Sequence, residues 1–139
     1  MALWILGQDA ESELRALYDR HYSSYKYRDG RKPKKFVGPG EYIVLTLPER
    51  TALFVWRKFI DASGQSGINC AVFRNESTHL SSDLIREADA IADFCWPRER
   101  HYTYVRAEVI KSRNPGWCFI CAGWERCGYT QGNLVILSK

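Results

Sequence analysis

The chain has 139 residues, 45% of them hydrophobic and 26% charged, and a formal net charge of +4. A chain of that length holds one domain, taken here as 1–139, and its ordinary composition excludes a disordered or fibrous protein. No apolar run approaches the ~20 residues of a membrane span, and the mild positive charge permits a nucleic-acid partner without requiring one.

The opening MALWILGQDAESE has no basic region and only a short apolar stretch, which argues against a signal peptide. The five cysteines, an odd number, then read as reduced thiols in the cytoplasm. LWILG (3–7) reads as a first strand. Asp9 is expected to cap a helix with Glu11 and Glu13 in its first turn, and Leu14, Leu17, Tyr18 and His21 repeat at helical spacing along its buried face. YKYRDGRKPKKFVGPG (25–40) is a loop that gathers Lys26, Arg28, Arg31, Lys32, Lys34 and Lys35 against Asp29.

EYIVLTL (41–47) and TALFVWRKFI (51–60) form an expected antiparallel hairpin, and INCAVF (68–73) a strand buried on both faces. A helix starts at Ser81 or Ser82, carries Leu84, Ile85, Ala88, Ile91, Ala92 and Cys95 on one face, and ends at Pro97. HYTYVRAEVI (101–110) is a strand, NPGWCFICAG a short helix stopped by Gly123, and NLVILS (133–138) a last strand. Three successive strands argue for antiparallel pairing, and each later strand–helix–strand unit for a parallel crossover. The expected fold class is α/β (α+β), a mixed, mostly antiparallel sheet flanked by helices.

Three cysteines fall in SRNPGWCFICAGWERCG (112–128). Cys118 and Cys121 have zinc-ligand spacing, but Cys127 stands alone and a fourth ligand would have to come from Cys70, Cys95 or a distant histidine. A thioredoxin-like pair belongs after a first strand, not here. Three residues apart on a helix, Cys118 and Cys121 share a face and read as core packing.

The stretch YVRAEVIKSRNPGWCFICAGWERCG resembles the C-terminal half of the GCN5-related N-acetyltransferase (GNAT) fold, with Asn114, Phe119 and Gly123-Trp124 matching the family's asparagine, helix aromatic and Gly-aromatic end. The element order fits that fold over nearly the whole chain. The resemblance implies an acyl-CoA (acetyl-CoA) donor whose pyrophosphate lies at a helix N-terminus. The matching turn, FRNESTHLSSDLIREA, has no glycine, and Phe119 lacks the hydroxyl of the family's tyrosine acid. FRNES, SSDLIREA and NPGWCFICAGW together look like the Mom-like phage branch, which alters the exocyclic amine of adenine in DNA.

That likeness implies a transferase with DNA as partner and a small-molecule group donor, and it leaves a labile metal such as iron open. Arg74, Ser81, Ser82, Asn114 and Phe119 are the candidate cofactor-binding residues. Glu76 or Asp83 would be the general base, at a strand end that opens into a ligand crevice, and Tyr104 (or Tyr102) would supply the missing hydroxyl. Lys26, Arg28, Arg31, Lys32, Lys34 and Lys35, interleaved with Tyr22, Tyr25 and Tyr27, would track a phosphate backbone. Trp56 and Arg57 complete the nucleic-acid set; Trp56 and Trp117 read as core or as cleft walls, and in the latter case one of them would sandwich a flipped base. Two further readings stay open: an N-acyltransferase acting on a small amine or a protein, and a non-catalytic nucleic-acid-binding phage protein.

Overall fold

The computed structural model describes residues 3–21, 35–38, 40–59, 64–106 and 116–139. In chain order these form β1 (Ile5–Leu6), α1 (Ser12–Asp19), β2 (Glu41–Thr46), β3 (Ala52–Lys58), β4 (Ile68–Asn75) and α2 (Ser81–Cys95). There follow β5 (His101–Val105), α3 (Trp117–Cys121), β6 (Glu125–Tyr129) and β7 (Val135–Ser138). The strands make one mixed sheet in the order β1-β2-β3-β4-β5-β7-β6, antiparallel throughout except for the parallel pair β4 and β5.

Strand alternation divides the core in two. On β3, Ala52, Phe54 and Trp56 face α2 and α3, where they meet Leu84, Ile85, Ala88, Ala92 and Phe119. Leu53 and Val55 face the other way, onto Leu14, Leu17 and Tyr18 of α1. A strand apolar at every position is what a sheet covered on both sides requires.

The expected hairpin, the buried strand and the second helix are all present. Four expectations are corrected. Asp9 does not cap α1: Glu11 holds the N-cap position, and the Asp9 carboxylate accepts from the Phe36 backbone N–H at 2.7 Å. The last two strands of the chain enclose an unforeseen turn, because ERCGY forms β6, an exposed strand with too few apolar residues to show as one. With β6 inserted, β7 returns between β5 and β6 and runs antiparallel to β5, so the second parallel crossover does not exist. Finally, Cys118 packs on the core but Cys121 is exposed.

Gly123 does stop α3. It sits at φ +97° while its N–H reaches Ile120 and that of Trp124 reaches Phe119, the paired bonds of a Schellman ending. That turn delivers Trp124 into the core, stacked 6.2 Å from Trp56. Its indole N–H donates to buried Asp89 at 3.0 Å.

Asp89 also takes His101 Nδ1 at 2.8 Å and Lys139 Nζ at 3.5 Å, so one carboxylate ties α2 to the start of β5, the α3–β6 corner and the end of β7. His101 Nε2 lies 3.1 Å from Asp93 Oδ1, but off the line a hydrogen bond needs. Removing Asp89 would strand two buried N–H groups. Asp89→Ala is therefore expected to cost about 3–5 kcal/mol, seen as a lower urea midpoint; a loss under about 1 kcal/mol would contradict the role given to this carboxylate.

Candidate active site

The site is built on an irregularity in β4. Val55 pairs with Val72 and Trp56 with Cys70, so Ala71 is an extra residue, a β-bulge. Before it, Ile68 turns its backbone towards β5, donating to the Arg100 carbonyl at 2.7 Å. After it the phase is reversed: Glu76 donates to Thr51 at 2.8 Å, on the β3 side. Alternation then turns the N–H and C=O of Phe73 towards β5.

β5 is not there to meet them. The parallel register runs through Ile68↔His101 and Asn69↔Tyr102, while β4 continues to Asn75. Gly67 fixes the closed end, since at φ +112° a side chain there would overlap the Arg100 carbonyl. Past that end the strands part. Thr103 Oγ1 satisfies the Cys70 carbonyl at 2.9 Å, and the His21 imidazole donates to the Phe73 carbonyl.

Asn75 organises the turn that leaves β4. Its Oδ1 accepts from the Ser77 N–H at 2.9 Å, and its Nδ2 donates to the His79 carbonyl at 2.8 Å and to Ser81 Oγ at 2.9 Å. A side chain thus braces the turn where a glycine-rich loop would need none. Leu80 is the N-cap of α2 and makes no side-chain cap, so the Ser81 and Ser82 amides have no capping side chain, while the Asp83 N–H donates to the Leu80 carbonyl at 3.1 Å.

Of the candidate residues, Arg74 and Glu76 stand together here. Arg20 grips Glu76 through Nε and Nη2 at 2.7 and 2.8 Å, and Arg74 Nε adds a third bond at 2.8 Å. Arg74 Nη1 also reaches the Arg20 carbonyl at 2.9 Å, which locks the end of α1 to the end of β4. The Arg20 bond first, then that of Arg74, holds the Glu76 pKa down to about 2. So tightly held a carboxylate is a weak base, and Glu76 is a clamp instead of the proton acceptor expected for it.

The other candidates are scattered. Ser81 joins the site through Asn75, and Ser82 is buried one residue on. Asp83 is exposed and pairs with Arg86 at 3.0 Å along the helix surface. Phe119 is buried against Phe73 and Trp124, with ring centroids 6.0 and 4.8 Å away, beside the opening between β4 and β5. Tyr104 is half-buried, edge-on to Tyr102 at 5.6 Å, on the opposite face of β5 from Thr103. Trp56 is fully buried with its N–H given to the Ala88 carbonyl, so it is a core residue that no base can reach in this fold. Arg57 lies over the Phe59 ring, its guanidinium carbon 4.6 Å from the centroid. Lys35 is exposed. Asn114, Lys26, Arg28, Arg31, Lys32 and Lys34 lie outside the described residues.

Among the described residues no group of three or more His, Cys, Asp or Glu could hold a metal ion, and no helix is long and apolar enough to cross a membrane.

His21, which helical spacing placed on an apolar face, is the residue that sequence reasoning missed. Burial, and then the nearby Arg74 charge, lower its pKa from 6.5 to about 4, against the Phe73 bond that favours protonation. It is neutral at pH 7. Between pH 6.5 and 4 the unfolded chain then binds more protons than the folded one, so stability falls as pH drops through that window. The expected loss is about 3 kcal/mol, measured by urea unfolding across that range, and His21→Gln should flatten the slope. An unchanged slope in that variant would contradict the burial described.

No protein-family model and no curated protein matches the chain. Among solved structures, an acyl-CoA N-acyltransferase from Pseudomonas aeruginosa is similar to it, with a TM-score of 0.53 at 13% identity over 99% of this chain and 97% of that one. Likeness at that identity speaks to the fold, and with the sheet order and the parting of β4 from β5 it establishes the chain as having the GNAT acyltransferase fold.

Proposed function

We propose that the chain is an N-acyltransferase that takes an acyl group from a thioester donor of the acyl-CoA type. The observation that carries this reading is the gap-facing edge of β4, where the bulge at Ala71 turns the Phe73 backbone away from β3 and no strand among the described residues pairs with it. An extended, amide-bearing chain lying there would find the ladder-type partner that β5 withholds. At the end of the same edge, the first-turn amides at Ser81 and Ser82 suit a phosphate group, helped by the helix dipole. Two guanidinium groups around one carboxylate leave net positive charge nearby. The chain therefore fits such a donor, and acyl-CoA, when bound, supplies an acyl carbon already activated as a thioester.

Amide formation makes a C–N bond and breaks a C–S bond, so the amine must lose a proton and the sulfur gain one. Of the two groups, His21 suits the first part better: it is neutral at pH 7 and seated on the Phe73 carbonyl at the gap, although burial makes it a weaker base than a free imidazole. Glu76, held between two arginines, does not. The finer reading, carried by the resemblance to Mom-like enzymes, is that the acceptor is the exocyclic amine of adenine in DNA.

Calorimetric titration with acetyl-CoA tests the donor: one site is expected, and Asn75→Ala, which unbraces the turn, should weaken it on the order of tenfold. No measurable binding by the wild-type chain would end the reading. For the acceptor, nucleosides from DNA of expressing cells are expected to show a heavier adenosine by mass spectrometry, lost in His21→Gln. Unchanged nucleosides alongside intact acetyl-CoA binding would move the acceptor to a small amine or a protein.

A further inference from the structure

Among the described residues, Arg57 Nε and Asn69 Oδ1 on the α1 face of the sheet are buried without a hydrogen-bond partner. They belong together. Arg57 and Asn69 are direct partners across β3 and β4, so their side chains leave the same face side by side. One is a donor and the other an acceptor, yet they do not bond each other. The rest of the guanidinium is engaged, by the Val37 carbonyl at 3.3 Å and the Phe59 ring beneath it. Flipping the Asn69 amide would set an N–H group against a cation and improves nothing.

Their position is specific. Asn69 makes the last parallel pair with β5 before the gap, one residue ahead of Cys70 and two ahead of the bulge. The sheet register continues the row on both sides, running Tyr42–Arg57–Asn69–Tyr102. A donor and an acceptor thus stand between two tyrosines at the closed end of the gap, on the face opposite α2. Such a row suits a flat group and its edge.

We propose that Arg57 and Asn69 read the acceptor, and that the acceptor carries a planar, conjugated edge with an N–H beside a lone pair. The amino edge of a nucleobase and a primary carboxamide both present that pattern. An alkylammonium does not: it has no acceptor for Arg57 Nε, and it brings a second positive charge to a guanidinium. This assignment rests on the N-acyltransferase reading for calling the bound group an acceptor, while the binding itself can be measured alone.

The test uses the full chain with adenosine, cytidine, nicotinamide and butylamine as probes, followed by ligand-observed NMR, beside acetyl-CoA calorimetry. A planar probe is expected to bind at least about tenfold more tightly than butylamine. Nucleosides against nicotinamide separates the two sources of that edge. Asn69→Leu and Arg57→Met should each weaken the planar probe on the order of tenfold while leaving acetyl-CoA affinity unchanged. Asn69→Leu should also raise the thermal midpoint, because it removes a buried acceptor without a partner.

Butylamine binding as tightly as the planar probes would overturn the proposal. So would planar binding that Asn69→Leu leaves unchanged, which would mean that an ordered water bridges the pair. If Arg57→Met does not fold, Asn69→Leu decides alone. A wild-type chain that binds planar probes but not acetyl-CoA would refute the donor reading and leave this one standing.

Discussion

One extra residue in β4 sets up the candidate site. Without the bulge at Ala71, every second residue from Ile68 would point its backbone at β5, and the two strands could stay paired along their length. With it, the phase reverses between Cys70 and Phe73. Val72, Arg74 and Glu76 then serve the ladder with β3, and Phe73 turns to a side where β5 has already diverged. The bulge also changes the side chains: Ala71 and Val72 both reach the α1 core, and Phe73 joins Phe119 on the other face.

The two ends of the gap are held by different chemistry. At the closed end, Gly67 lets β4 approach Arg100, and buried Asp89 binds His101 and Trp124 behind it. These contacts are apolar or shielded from water, and they hold Ile68 against His101. At the open end the contacts are polar and nearer to solvent: Arg20 and Arg74 on Glu76, His21 on Phe73, Asn75 on its own turn. On the proposed reading, a strand-like donor would enter from the helix side, at the polar end, and leave the buried contacts of the closed end in place.

Much of the architecture was legible because its cause is local. Alternating or continuous apolar runs marked the strands, Pro97 and Gly123 marked the helix ends, and the motif around Phe119 pointed to the fold. What was hidden depends on distance in sequence. β6 is a polar edge strand, so its sequence shows no apolar signal, and missing it reversed the inferred direction of β7. Glu76 stood at the expected strand end, but its character is set by Arg20, 56 residues away. Asp9 looked like a cap until the Phe36 N–H claimed it. Trp56 read as either core or cleft wall, because nothing local shows that Ala88 and Trp124 bury it. An Asx-type signal in Asn75-Glu76-Ser77 was present in the sequence and is the one local sign of how the turn holds without glycine.

On the proposed reading, the Phe73 backbone faces a donor-binding gap. The most direct measurement is the backbone amide spectrum of the chain during titration with acetyl-CoA. The Phe73 amide proton should move downfield as it gains a partner, together with the first-turn amides of α2, while Val72 and Arg74, bonded to β3, stay in place. Perturbation of Val72 and Arg74 with Phe73 unmoved would show that β4 does not have the phase described and that the donor, if bound, lies elsewhere.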